Sequence, residues 1–252
     1  GSAAGSQLIL DAGTGIRPLG QQLVEQGHGD LTILLSHTHW DHIQDLPFFG
    51  PLYRPGAAVT IRGPRQPNGS LESILRQQML PAVFPVPVDA LAAELAIAEL
   101  TDAPFRVGDL TVETVALCHP SPTVGFAIDS PASPGRISYL TDNELGHDTS
   151  RRSRAALARF LHNTDTLVHD AMYFQSERAA RAGWGHSSAA EAVELALECQ
   201  ARRLVLFHHD PTHDDGALDR LFLEAEEVRV ARGGRLEIIV AAEGLILSPH
   251  GG

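Results

Sequence analysis

The run Ser36-His37-Thr38-His39-Trp40-Asp41-His42 directly follows the apolar stretch Leu31 to Leu35 and sets four candidate metal ligands within six residues. A chain that carries it has to deliver a tight, polar turn at the end of a buried strand. Imidazole nitrogens and carboxylate oxygens at this spacing suit zinc or a neighbouring first-row metal, because a short turn can aim alternate side chains into one pocket. The bland alternative is a polar loop that happens to be rich in histidine. Four ligands on one loop can feed two adjacent ions, with His37 and His39 directed to one and Asp41 and His42 opening a second. Two ions sharing a water imply hydrolysis, whereas structural zinc is closed by four ligands, usually including cysteines. Only Cys118 and Cys199 are present, which disfavours a closed cysteine site.

At 252 residues the chain is long enough for one large α/β domain, expected over 7–250, with residues 1–6 read as a linker or cloning remnant. Hydrophobic residues make up 43%, and no apolar run approaches the roughly 20 residues that span a bilayer. The expectation is a soluble protein without membrane association. A net charge of −12, from 31 acidic against 19 basic residues, repels polyanions, so a small anionic substrate is expected and extended nucleic acid is not. Two cysteines far apart read as packed thiols in a reducing, cytoplasmic setting.

The pattern along the chain alternates strand and helix. Gln7 to Leu10 predict a strand ending at Asp11-Ala12-Gly13-Thr14-Gly15, and Ile16, Leu19 and Leu23 fall at helical spacing. Five prolines between 47 and 67 predict loops around one strand, Val59 to Arg62. Ser70 to Leu80 reads as a helix capped by Ser70. Strands are expected near 95–100, 110–117, 123–129 and 136–140. Then follow helix 151–161, strand 166–169, helix 187–199, strand 203–207, helix 214–231 and strands 235–240 and 243–248. The helix bearing Ala189, Ala190, Val193, Leu195 and Ala196 reads as core packing, with homodimerisation as the alternative. Two β-rich segments with accompanying helices predict two sheets packed face to face, helices outside.

Three further candidate ligands stand just after apolar strands. His119 follows Val115-Ala116-Leu117-Cys118, Asp142 follows Ile137-Ser138-Tyr139-Leu140-Thr141, and His208 follows Leu204-Val205-Leu206-Phe207. Each alone reads equally as a hydrogen-bonded turn residue. Together with the loop at 37–42 the recurrence of strand then ligand points to one constellation, and a carboxylate such as Asp142 can bridge two ions.

With these residues in place the chain resembles the metallo-β-lactamase-fold hydrolase superfamily. The resemblance implies an α/β fold, an αββα four-layer sandwich of two facing mixed sheets with helices outside. It also implies two divalent ions, zinc in the first instance with manganese or iron as alternatives. His37, His39 and His119 would hold one ion, Asp41, His42 and His208 the other, with Asp142 bridging. Asp11 would support the metal loop from the end of the first strand.

True β-lactamases of the superfamily typically carry a cysteine where this chain has Asp142, so antibiotic hydrolysis is disfavoured. Val168-His169-Asp170-Ala171-Met172 is similar to the His-Glu-Ala-Thr box of ribonuclease Z, and Gly185-His186-Ser187-Ser188-Ala189 to its Gly-His-Ser-Thr box. Phe207-His208-His209-Asp210-Pro211-Thr212-His213-Asp214-Asp215 is similar to bacterial members likened to class II cyclic-nucleotide phosphodiesterases. The resemblance therefore implies the phosphodiesterase branch. Between His119 and Asp142 there is no room for a tRNA-gripping arm, and the Trp-Gly-Val-Arg-Gly-Ser stretch that opens such relatives is missing, implying a shortened first sheet.

The expected activity is hydrolysis of a small phosphodiester, such as a cyclic nucleotide or cyclic ribose phosphate, by a hydroxide bridging two metals. Asp41 would orient that nucleophile, His186 would protonate the leaving oxygen, and Asp170 would orient His186, against the bland reading that His186 only caps the following helix. His169 reads as structural, and His209 and His213 as solvated or lining the substrate mouth. His28, His147, His162 and His250 have no supporting pattern. Two other functions compete: hydrolysis of a lactone, ester or thioester by the same site, and a metal-containing nucleotide-binding module with little turnover.

Overall fold

A computed structural model describes residues 7–146 and 154–248. The first six residues, His147 and His250 lie outside the described residues. The chain divides into two compact units, Gly1–Thr111 and Val112–Gly252.

In the first unit, β1 (Gln7–Leu10) leads through α1 (Ile16–Glu25) to β2 (Asp30–Leu34), and the one-turn helix α2 (Trp40–Ile43) follows the ligand loop. Next come β3 (Ala58–Gly63), α3 (Leu71–Gln78) and β4 (Glu94–Glu99). The strands pair in sequence order, β1-β2-β3-β4, and every pair is parallel. Mixed character, expected of both sheets, is thus absent from this one among the described residues. Parallel strands covered by helices read as near-continuous apolar runs, and Leu31, Ile33, Leu34 and Leu35 are fully buried. Leu31, Ile33 and Leu35 pack with Ile9, Ile16, Leu46, Phe49, Val59, Ile61 and Leu71 in one core. Ser70 caps α3 as expected, its hydroxyl accepting from the Ser73 amide at 3.1 Å.

A short strand, β5 (Phe105–Val107), precedes β6 (Leu110–Ala116), β7 (Val124–Ser130) and β8 (Ser133–Leu140). Then follow α4 (Arg154–Phe160), β9 (Thr164–Asp170), α5 (Gln175–Arg178), α6 (Ala189–Glu198), β10 (Arg203–Phe207), α7 (Asp215–Arg232) and β11 (Glu237–Val240). The seven-stranded sheet runs β11-β10-β9-β8-β7-β6-β5. Its β8–β9–β10–β11 pairs are parallel and β7–β8 is antiparallel, so this sheet is mixed. Helix α6 packs on β9 and β10 and against α4 and α7. Ala189, Ala192, Val193, Leu195 and Ala196 are fully buried in that core, which is the packing reading of this small-residue helix. Cys199 is buried in the same cluster, where burial pushes its thiol up to about 11; Cys118 is half-buried, and both are thiols rather than disulfide partners.

Boundaries differ from the expected ones in particular places. The helix expected over 151–161 is described from Arg154, residues 151–153 lying outside the described residues. The strand expected over 243–248 is not formed: Leu245 closes a turn onto the Ala242 carbonyl, Ile246 is 90% exposed, and the Ser248 carbonyl accepts from Arg203 Nη1 at 3.1 Å. The apolar run Leu245-Ile246-Leu247 lacks a neighbouring ladder, and apolar composition alone does not make a strand. No helix among the described residues is long and apolar enough to cross a membrane.

Candidate metal centre

The first group of candidate ligands is built by β2. Its last carbonyl, Leu34, accepts from the Asp11 amide at 2.9 Å, and the next amide, Leu35, donates to Arg62 at 2.7 Å, so the chain leaves the sheet only at Ser36. From there His37 and His42 turn inward and are buried, while His39 and Asp41 are exposed. The His37 ring lies 4.5 Å from that of His39 and 4.3 Å from that of His42, centroid to centroid. Asp41 Oδ2 stands 3.2 Å from His42 Nε2.

Asp11 holds this loop from beneath. One carboxylate oxygen accepts from the Ser36 amide at 2.7 Å, and the other accepts from Ser36 Oγ at 3.0 Å and lies 2.9 Å from His42 Nδ1. Ser36 Oγ in turn lies 3.1 Å from His37 Nδ1. Both buried imidazoles are thereby oriented through Nδ1, leaving Nε2 as the atom suited to a metal, the usual outer support of a ligating histidine. The loop also closes tightly against the turn after β1. A Cβ at Gly13 would stand 2.5 Å from the Asp41 carbonyl oxygen, so only glycine fits there.

The second group comes from three strand ends and one loop. Asp142, just past β8, is buried, with Oδ2 3.8 Å from His119 Nε2 and Oδ1 3.3 Å from His208 Nε2. One carboxylate thus addresses two imidazoles with different oxygens. Asp142, His186 and His208 each offer a ligand atom within 4.8 Å of the others. The His186 and His208 rings stack 5.1 Å apart at 11°, and His119 meets His186 edge-on at 5.3 Å.

Backbone conformation marks the same residues. Asp11, Asp142 and His208 take φ of 58°, 48° and 58°, the left-handed region that non-glycine residues avoid at a cost of about 1–3 kcal/mol each. Each stands directly after a strand or one residue beyond it, where the reversal turns a side chain out of the strand's alternating pattern.

His186 does not cap α6. That task falls to Ser188, which accepts from the Glu191 amide while Glu191 accepts from the Ser188 amide, a reciprocal cap. His186 Nδ1 instead lies 2.7 Å from Asp170 Oδ2. Asp170 is fully buried at the end of β9 and also accepts the amides of Asn143, Met172 and Ser187 at 3.3, 3.1 and 3.1 Å. A carboxylate so surrounded, able only to accept, orients the ring and calls for a hydrogen on Nδ1.

His169 is buried in β9 between the Asp170 carbonyl at 2.7 Å and Asn143 Nδ2 at 3.1 Å, and burial holds its pKa low, as befits a structural imidazole. His209 is half-buried, and burial likewise lowers its pKa. His213 is not solvated: its side chain is largely covered, with Nε2 3.4 Å from Glu177 and the ring 5.1 Å from Phe174.

Sequence reasoning passed over Glu144. This buried carboxylate accepts from the Gly183 and Gly185 amides and from Arg178 Nη2, each at 2.8 Å. Burial works to raise its pKa, but the two amides and the guanidinium outweigh that and hold it below the usual carboxylate value. Arg178 also reaches Glu191 at 2.9 Å and so ties the clamp to the start of α6. The Gly185 carbonyl lies 3.1 Å from His119 Nδ1, and a Cβ there would sit 2.1 Å from that nitrogen. The only signal in the sequence was the glycine pair flanking Trp184.

Residues 7–209 match the beta-lactamase superfamily domain. The chain belongs to that superfamily. It is therefore a metallo-β-lactamase-fold, metal-dependent hydrolase, and the two-sheet α/β architecture agrees. A curated relative, ribonuclease Z of an Exiguobacterium species, is 26% identical over 219 residues, covering 70% of each chain. The fold is also similar to that of the metallo-beta-lactamase fold protein YhfI from Bacillus subtilis, with TM-score 0.68 and 20% identity over 96% of this chain and 87% of that one. A diphosphatase from the PhnP family is similar with TM-score 0.63 and 21% identity, over 96% of this chain and 79% of that one. An all-imidazole and carboxylate donor set, with one ring nitrogen of His37, His42 and His119 already oriented, fits the divalent metal that this fold implies.

Proposed function

We propose that the chain is a dinuclear metallophosphodiesterase acting on a small substrate, such as a cyclic nucleotide or cyclic ribose phosphate. The observation that supports it most is Asp142, whose two oxygens address His119 and His208 separately, as a carboxylate shared by two ions would. In this reading His37, His39 and His119 would hold one ion, Asp41, His42 and His208 would hold the other, and Asp142 would be shared. Zinc suits these donors, with manganese or iron as alternatives. Bound ions would supply positive charge to the transition state and lower the pKa of water.

The chain's own residues then divide the work. Asp41, exposed at the mouth of its loop, orients the nucleophile. His186 donates a proton from Nε2 to the leaving oxygen, and the Asp170 carboxylate at its Nδ1 steadies the ring and the charge it carries before transfer. General acids of this kind contribute about 10²–10⁴-fold.

The ribonuclease Z name of the curated relative supports a second reading, hydrolysis at an RNA end. The net charge of −12 favours the small substrate. The test is hydrolysis of bis(p-nitrophenyl) phosphate by metal-reconstituted protein. The Asp142→Ala variant is expected to lose about a thousandfold or more, since metal charge stabilisation is worth several kcal/mol and each 1.36 kcal/mol is tenfold. Cyclic nucleotides and a tRNA precursor are then compared as substrates. No turnover at full metal occupancy would overturn the phosphodiesterase reading and direct attention to acyl substrates or a binding role.

A further inference from the structure

The chain has two tryptophans, and both are left in solvent, Trp40 at 60% and Trp184 at 61% exposure. Tryptophan is ordinarily well covered, so an exposed one on a fixed backbone asks for an occupant. Trp184 is fixed. The amides on either side of it, Gly183 and Gly185, both donate to the single buried carboxylate of Glu144 at 2.8 Å, and its own amide donates to the Arg181 carbonyl at 3.2 Å. Gly183 and Gly185 take φ of 85° and 92°, a left-handed backbone on both sides of residue 184 that glycine adopts without strain. Two residues on, His186 is locked to Asp170.

We propose that the Trp184 indole is the surface on which the base of a nucleotide-type phosphodiester stacks while its phosphate lies beside His186, making Trp184 a specificity-determining residue. The proposal rests on the phosphodiesterase reading above. Three physical reasons carry it. A chain of net charge −12 draws no phosphodiester in by long-range attraction, so affinity has to come from short-range contacts. A π-face supplies such contact to any base. The clamp by Glu144 has already ordered the backbone, so little conformational entropy is lost when a ring settles on the indole.

The test compares wild type with Trp184→Ala and Trp184→Phe on a cyclic adenosine phosphate and on the same cyclic phosphate of a base-free ribose. Stacking worth about 1–3 kcal/mol predicts that Trp184→Ala raises KM for the adenosine substrate about tenfold or more, leaves kcat and the base-free KM within about twofold, and is largely rescued by Trp184→Phe. Independently of turnover, adenosine monophosphate is expected to quench the tryptophan fluorescence of wild type but not of Trp184→Phe, and ribose phosphate is expected to quench neither. Equal effects on both substrates, no effect on either, or quenching that survives in Trp184→Phe would overturn the proposal. A shift in sedimentation behaviour of Trp184→Ala without a change in KM would also overturn it, since the ring would then be covered by a second copy. If wild type hydrolyses neither substrate, the phosphodiesterase reading fails, and the fluorescence experiment alone decides whether Trp184 receives a base.

Discussion

The candidate-ligand loop of the first unit and the candidate-ligand cluster of the second assemble similar donor atoms by opposite routes. The loop places His37, His39, Asp41 and His42 within six consecutive residues and orients its buried rings through one carboxylate, Asp11. The cluster draws His119, Asp142 and His208 from the ends of separate strands and adds His186 from a loop, with Asp170 and Glu144 as supports. A local site needs one strand end and one brace. A dispersed site needs several strands in correct register and buried charges that hold loops rather than ligands. The first should fail by losing metal, the second by losing geometry.

The sharpest way to break that contrast is His186→Asn. Its kcat is expected to fall about 10²–10⁴-fold with an alkoxide leaving group, and much less with p-nitrophenolate, which departs without a proton. Metal content, measured by elemental analysis, is expected to stay unchanged. Loss of metal, or equal loss of rate for both leaving groups, would make His186 a ligand rather than the proton donor.

A smaller effect compares the two braces. Asp11→Ala is expected to weaken metal binding about 10–100-fold, the usual cost of removing the outer support of a ligating histidine, read by competition with a chromophoric chelator. Asp170→Asn is expected to lower kcat while leaving that affinity near wild type. If both variants lose metal alike, the distinction between the two regions collapses.

The smallest effect concerns Glu144. Glu144→Gln removes a buried charge from Arg178 and two amides, with an expected loss of about 1–3 kcal/mol, seen as a lower Tm at neutral pH. Because the two amides and Arg178 hold the Glu144 carboxyl below the ordinary glutamate pKa, its contribution is present above that ordinary value and is lost as pH falls through the depressed folded one. Wild type and variant melting temperatures are therefore expected to converge in acid. A constant difference between them down to low pH would rule out the charged clamp.

Much of this molecule could be read directly from residue order. The buried strand read over Leu31 to Leu35 and the Ser70 cap followed from an apolar run and helix punctuation, signals that are local by nature. Misreadings fell where composition and pairing part company. The run at 243–248 is apolar but has no ladder, and the three-residue strand Phe105–Val107 is too short to show a period. Glu144 escaped notice because a glutamate two residues beyond Asp142 looks like a solvated turn residue. Only the folded chain places it under two glycine amides more than thirty residues away.

The sequence by itself determined the candidate donor residues, the strands they follow, and the superfamily resemblance, because strand periodicity and a contiguous histidine motif are written residue by residue. Tertiary structure decided what those side chains do to one another. It turned Asp11, Asp142 and His208 into left-handed backbone, set two imidazoles on separate oxygens of Asp142, and bound His186 to Asp170 instead of to the helix it precedes. Such relations join residues far apart in the chain through burial and hydrogen bonding, and no local pattern encodes the distance between them.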